Sequence, residues 1–263
     1  MASSAPEILS RFLVKDKTVV ITGGARGLGL NFGIGLAQAG ANIAAIDISD
    51  EPSERFSALA QYGGKYQYYK ADVRDYQGLK ATIDRIADDF GSIDGWSSIP
   101  AAGIIRDRPF LEHTQEDFED SLGVNVNGVF FTVQHCAAQM IKQGTGGRVV
   151  CIASTAGHRS LYPQTIAAYT ASKYAVRGIV KQVAAEMAPH NIRVNSISPG
   201  VIMTDMLHSV ISQNPSRKKL FEDSNAMKRI ATPDELVGMV LYLMSDASSY
   251  TTGQDFLVDG GQI

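Results

Sequence analysis

Tyr169-Thr170-Ala171-Ser172-Lys173, with Ser154 upstream, carries the residue types whose spacing could do chemistry. On a helix, positions i and i+4 share a face, so the Lys173 ammonium can sit near the Tyr169 phenol. A phenol alone titrates near pH ~10, and a neighbouring cation favours the phenolate and draws that value down. Such a pair gives or takes a proton near neutral pH, as interconversion of a carbonyl and an alcohol requires. Ser154 could set a hydroxyl against the same substrate oxygen. Alone, a Tyr-x-x-x-Lys pair is more often a partly exposed helix face. The elements that position it must decide.

The first of these lies near the start of the chain. Lys17-Thr18-Val19-Val20-Ile21-Thr22 is a β-branched, mostly apolar run suited to a strand buried on both faces. It runs into Gly23-Gly24-Ala25-Arg26-Gly27-Leu28-Gly29 and then a helical stretch to Gly40. A strand, a glycine turn and a helix start make an anion site, because backbone N–H groups and the helix dipole point at a pyrophosphate. A second strand, Asn42-Ile43-Ala44-Ala45-Ile46, ends in Asp47. An acid about 20 residues beyond the glycines can bind ribose hydroxyls. The combination points to a dinucleotide site rather than a structural turn.

Composition excludes several other classes. A chain of 263 residues, 44% hydrophobic and 19% charged, suits one large α/β domain and is unlike a disordered chain. A net charge of −3 leaves no electrostatic footprint for nucleic acid or an anionic membrane. No apolar run approaches a membrane span, and Met1 to Pro6 lacks the pattern of a secretory signal, so a cytoplasmic location is expected. Cys136 and Cys151 lie in apolar contexts and read as buried thiols of a reducing compartment. The five histidines form no ligand pair, so no metal is expected.

Strand and helix patterns alternate along the chain, which is the signature of a parallel sheet wrapped by helices. Strands are expected near 17–22, 42–47, 66–71, 93–99, 147–153, 191–198 and 254–258. Helices are expected near 27–40, 52–62, 75–90, 114–142, 166–188 and 232–245. Residues 1–15 read as a mobile tail and 16–263 as a single domain. The stretch from Gly200 to Ile230 has no strand pattern, carries Met203, Met206, Met227 and Pro215, and includes the basic run Arg217-Lys218-Lys219. A long segment following a strand whose end faces the nucleotide reads as a substrate lid.

Thr22-Gly23-x-x-x-Gly27-x-Gly29, Asp72-Val73, Asn125-Val126-Asn127-Gly128, Ser154, Tyr169-x-x-x-Lys173 and Pro199-Gly200 followed by Thr204 occur here in that order. Together they resemble the short-chain dehydrogenase/reductase family in its single-domain form. The resemblance implies a doubly wound, Rossmann-type seven-stranded sheet of order 3-2-1-4-5-6-7. It implies hydride transfer between NAD(P)(H) and a ketone or secondary alcohol, and a homodimer or homotetramer. It makes Tyr169 the general acid/base, and Lys173 the residue that lowers its pKa and binds the nicotinamide ribose. Ser154 would orient the substrate oxygen, and Asn125 would hold a water linking Lys173 to solvent. The nucleotide site would comprise Gly23, Arg26, Gly27, Leu28, Gly29, Asp47, Asp72, Val73, Ala101, Ala102, Gly103, Tyr169, Lys173, Pro199, Gly200 and Thr204. Within it, Asp72 would meet the adenine and Thr204 the nicotinamide or phosphate side.

Two features depart from the family pattern or leave it open. Pro100-Ala101-Ala102-Gly103 stands where members usually carry Asn-Asn-Ala-Gly. Proline cannot donate to a ladder, so the fourth strand is expected to stop by Ile99. Asp47 favours NAD by binding the 2′- and 3′-hydroxyls, whereas Arg26 sits where NADP-using relatives often place a cation, or pairs with Asp47 itself. The layout is most similar to members acting on polyols and ketoses, such as sorbose reductase-like proteins. A bulkier natural-product ketone is a rival, since the Met-rich lid and His158 to Tyr162 could line an apolar cavity. A third reading, a protein that holds the nucleotide without redox turnover, rests only on the altered Pro100 segment.

Overall fold

A computed structural model of the chain describes residues 7–91 and 96–263. The strands are β1 (Thr18–Thr22), β2 (Asn42–Asp47), β3 (Tyr66–Lys70), β4 (Trp96–Pro100), β5 (Gly147–Ile152), β6 (Ile192–Pro199) and β7 (Asp255–Val258). They form one parallel sheet of order β3-β2-β1-β4-β5-β6-β7, the doubly wound order expected from the resemblance. Every residue of β1 is buried, which is why its run lacks polar alternation. The strand expected over 93–99 is described only from Trp96, because 93–95 lie outside the described residues.

The helices are α1 (Glu7–Ser10), α2 (Gly27–Gln38), α3 (Tyr76–Phe90), α4 (Gln115–Leu122), α5 (Gly128–Gln143), α6 (Ala167–Met187), α7 (Asp205–Gln213), α8 (Ser216–Asp223) and α9 (Val237–Met244). α2 and α9 cover one face of the sheet, with Leu30, Leu36, Val240 and Leu243 buried against Ile21, Ile43 and Ile197. α3, α5 and α6 cover the other, where Ile83, Val133 and Val176 pack on Val20, Val149 and Val194. Cys136 and Cys151 are free and buried there, and burial pushes both thiols up to about 12. Residues 11–14 are docked rather than trailing: Val14 is buried and its N–H donates to the Ala39 carbonyl.

Two local differences from expectation bear on the site. The single helix expected over 114–142 is broken by a π-helical turn at Gly123–Asn127, an insertion that turns Asn125 fully inward. The strand end expected at Ile99 is also wrong, since Pro100 belongs to β4 in register with Thr22. Ala101 donates its N–H to Thr22, so alternation aims residue 100 at β5, where pairing has already ended at Ser98 opposite Val149. The missing proline donor therefore breaks no ladder bond.

Candidate active site

Beyond the carboxyl ends of the strands lies a cavity of about 900 Å³. Such ends are where open α/β sheets bind ligands. Its inner wall is the glycine turn. Gly23 has φ +67°, and a side chain there would stand 2.8 Å from the Ala102 Cα. At Gly29 a Cβ would lie 2.2 Å from the Gly23 carbonyl oxygen, so this glycine lets the turn close on itself. Gly27, at φ +56°, meets nothing within 4 Å and faces the open cavity. The N-terminus of α2 has no side-chain cap and no acid in its first turn. Its first N–H bonded to a backbone carbonyl of the turn is that of Leu30, to Arg26. Unclaimed donors, a positive dipole end and a bare backbone fit a pyrophosphate.

Asp47 closes β2 and is buried, its carboxylate accepting from the Ala25 N–H at 3.2 Å and from the Ser49 N–H and hydroxyl at 3.3 and 3.2 Å. Those bonds fix both oxygens at the cavity edge. Arg26 is exposed on the rim, and no ion pair with Asp47 forms among the described residues. Asp72 is gripped by Arg74 through paired bonds of 2.8 and 3.0 Å, and the Arg74 guanidinium holds its carboxyl below the usual range. Val73, Ala101, Ala102, Gly103, Pro199, Gly200 and Thr204 all line the same cavity. Thr204 also caps α7, its hydroxyl accepting from the Leu207 N–H.

Ser154, Tyr169 and Lys173 meet at the cavity's far side. Ser154 follows β5 and its hydroxyl accepts from the Ala156 N–H at 3.1 Å. Tyr169 and Lys173 share a face of α6, as their spacing predicts. Lys173 is buried, donates to the Ile152 carbonyl at 2.8 Å and lies 5.4 Å from the centre of the Tyr169 ring. The expected acidification of the phenol is absent in the free protein. Burial pushes Tyr169 above its ordinary value, only partly offset by a hydrogen bond with Ser154. Burial also pulls Lys173 down to about 8. The ammonium is committed to a carbonyl and sits beside the ring, so loss of water governs both groups. Asn125 lies behind this wall. Its amide brackets Ile104, accepting from the N–H at 2.8 Å and donating to the carbonyl at 2.9 Å, and also donates to the Ser172 hydroxyl.

Comparison with known proteins agrees with this geometry. A family model described as enoyl-(acyl carrier protein) reductase matches residues 23–262. The 2-dehydro-3-deoxy-D-gluconate 5-dehydrogenase of Escherichia coli is 36% identical over 97% of this chain and 98% of its own. Sorbose reductase of Schizosaccharomyces pombe is 35% identical over 96% of this chain and 98% of its own. The chain belongs to the short-chain dehydrogenase/reductase family. It is an oxidoreductase acting on CH–OH groups with NAD(P). The crystal structure of a gluconate 5-dehydrogenase from Burkholderia cenocepacia, in complex with NADP and tartrate, superposes with TM-score 0.89. It is 31% identical, over 97% of this chain and 98% of that one.

Another part of the cavity wall is mixed in character. Arg106, Asp107, Gln164 and Arg217 line it beside Leu161 and Phe221. Of these, Arg106, Asp107 and Gln164 were not singled out from sequence, whereas Leu161 lies in the His158 to Tyr162 stretch expected to line a cavity, and Arg217 and Phe221 lie in the expected lid. Arg217 on α8 reaches Asp107 at 3.0 Å, and Asp107 also accepts from the Thr165 N–H and hydroxyl just before α6. α7 and α8 line the cavity through Asp205, Leu207, Val210, Arg217 and Phe221. The expected methionine lining is not found: Met203 and Met227 are outside the wall, and the Met206 side chain is outside the described residues. His158 is not among the lining residues and pairs instead with Asp255, both side chains being mostly buried.

Proposed function

We propose that this enzyme reduces a ketose or a keto sugar acid, or oxidises the matching polyol or sugar acid, with Tyr169 as the proton donor and acceptor. The observation that carries the reading is that one cavity is walled by the glycine turn, Asp47, Ser154, Tyr169 and Lys173 together. The nucleotide would be held by the N–H groups of Gly27, Leu28 and Gly29, by Asp47, and by Lys173, and when bound it supplies the hydride acceptor or donor. Ser154 orients the substrate oxygen towards the phenol. Tyr169 gives that oxygen its proton in reduction and removes it in oxidation, and Lys173, with a pKa of about 8, favours the charged form of the phenol when it turns towards the hydroxyl. Asn125 braces the Ile104 loop against α6. Its amide protons are spent, so a water on the Lys173 relay would use the second lone pair of Oδ1.

Polar Arg106, Asp107, Gln164 and Arg217 favour a hydroxylated substrate over a large apolar ketone, in line with the sugar-derived names of the relatives. Pro100 sits in β4 without disturbing it, which removes the support for a nucleotide-holding protein without turnover. We favour NAD, because the buried Asp47 carboxylate stands where a 2′-phosphate would be repelled. Residues 200–230 would act as the lid, and exposed Phe130 and Tyr174 on α5 and α6 offer an apolar face for a second copy. The decisive assay follows absorbance of NADH and NADPH against ketoses, polyols and sugar acids. Turnover of at least one substrate is expected, falling on the order of a thousandfold in Tyr169→Phe while nucleotide binding persists. Near-normal turnover in that variant sinks the assignment.

A further inference from the structure

Behind the candidate site, on its sheet side, one buried carboxylate gathers donors from three other elements. Asp255 opens β7, and its side chain is 9% exposed. One oxygen accepts from the Ser196 hydroxyl at 2.6 Å, and the Ser198 hydroxyl lies 3.0 and 2.9 Å from the two oxygens. Both serines belong to β6. The other oxygen accepts from Arg177 Nε at 3.1 Å and from His158 Nε2 at 2.7 Å. Arg177 stands one turn beyond Lys173 on α6, and also donates to the Gly157 carbonyl. His158 ends the short turn that begins at Ser154.

That turn has no slack against the lysine helix. Thr155, Ala156 and Gly157 are buried, and a Cβ at Gly157 would stand 2.8 Å from the Lys173 carbonyl oxygen. The two segments that carry Ser154 and Lys173 are therefore each tied, through His158 and Arg177, to the same carboxylate. A hydrolytic serine–histidine–aspartate relay is excluded here. Ser198 Oγ and Asp255 Oδ2 both face the same ring nitrogen, and Ser198 is fully buried.

We propose that Asp255 is a positioning residue that, through His158 and Arg177, sets the separation of Ser154 from Lys173. Charge is as important as shape in this arrangement. An ionised Asp255 neutralises the Arg177 guanidinium, which is 32% exposed and shares a helix with Lys173. Cys151 on β5 is fully buried, and its thiol responds to both the Lys173 ammonium and the Asp255 carboxylate. A partly buried cation left unpaired favours deprotonation of neighbouring acids.

The test rests on the proton-transfer roles given above and uses two variants of the full-length protein, Asp255→Asn and Arg177→Gln. Amide exchange is read first, without substrate. In both variants the amides of 155–158 should exchange at least about tenfold faster, while those of β1 and β2 stay as in wild type. Turnover of a ketose with NADH or NADPH should then fall on the order of ten- to a hundredfold, with nucleotide KM within about twofold. The limb of the kcat–pH profile set by Tyr169 and Lys173 should move in opposite directions, to lower pH in Asp255→Asn and to higher pH in Arg177→Gln. Unchanged exchange at 155–158 overturns the proposal. So does a loss of activity with uniformly faster exchange and an unmoved pH limb, which marks a merely structural role. A wild type without turnover, or an active Tyr169→Phe, strikes instead at the proton-transfer roles, and the exchange measurement still decides whether the carboxylate pins the turn.

Discussion

Replacing Gly29 by Ala tests whether the glycine turn is shaped for a nucleotide or is only an available loop. The added Cβ would stand 2.2 Å from the Gly23 carbonyl oxygen and 2.8 Å from its carbon, both backbone atoms. Restoring van der Waals contact at 3.4 Å needs the turn to open by roughly 1 Å, and no side-chain rotation can supply that. Overpacking of this kind costs about 1–3 kcal/mol. For a domain of this size the midpoint should fall by about 2–4 °C for each kcal/mol. Gly178→Ala is the matched control. It lies on exposed α6 surface with nothing within 4 Å, so Ala should stabilise the helix by about 0.8–1 kcal/mol. Differential scanning calorimetry and NADH or NADPH fluorescence titration read both effects. Gly29→Ala should lower the midpoint and weaken nucleotide binding at least about tenfold, since misaligned N–H groups lose charge-assisted bonds. Gly178→Ala should raise the midpoint and leave binding alone. Nucleotide affinity in Gly29→Ala equal to wild type would refute the reasoning, because the pyrophosphate would then not use this turn.

Lys173→Met isolates the buried ammonium. The folded-state value of about 8 lies below the ordinary 10.5, so burial destabilises the folded chain while both states are charged, below about pH 8. From there to 10.5 the unfolded chain holds a proton that the folded chain has released, so stability rises with pH. Measured by urea unfolding of the nucleotide-free proteins, wild type should gain on Lys173→Met by up to about 3 kcal/mol across that window. A flat difference contradicts the burial argument. Asp47→Ala should weaken NADH by about tenfold and improve NADPH, read by fluorescence titration, and equal effects on both would dismiss Asp47 as the discriminating residue. Arg217→Ala removes the contact between α8 and Asp107. A pair this exposed is worth about 0–1 kcal/mol, so substrate KM should rise no more than about fivefold with nucleotide KM unchanged. A larger effect would mean that Arg217 touches the substrate itself.

Most of the sheet was legible because each of its signals is local. β2 runs over Asn42–Asp47 as expected, since an apolar run that starts just after the Gly40 turn and ends before the polar Ser49-Asp50-Glu51-Pro52 segment leaves little choice. The glycine turn and the Tyr169/Lys173 pair were legible for the same reason. The π turn at Gly123–Asn127 was not, because the five residues Gly-Val-Asn-Val-Asn carry no pattern that separates a π turn from an ordinary helical one. Pro100 was misread by a sound rule applied without its neighbour. Proline damages a strand where its N–H would be used, and here β5 has already left that side of β4.

What the sequence withheld about the site was its second layer. His158, Arg177, Ser196, Ser198 and Asp255 span almost a hundred residues, and no periodicity links them. Their meeting depends on the β6–β7 register that sets Ser196 opposite Asp255, and on α6 crossing over it. The same limit explains the phenol. Spacing alone promised that Lys173 would acidify Tyr169, because helical neighbours of opposite tendency are expected to interact through water-like surroundings. In the folded chain both groups lie where water is scarce, and the Ile152 carbonyl claims the ammonium first. Desolvation then opposes charge on each of them, raising one value and lowering the other. The free enzyme accordingly keeps its proton on the phenol, the form that carbonyl reduction consumes. Oxidation needs the phenolate, and so needs a favourable charge to reach the hydroxyl before the proton can leave.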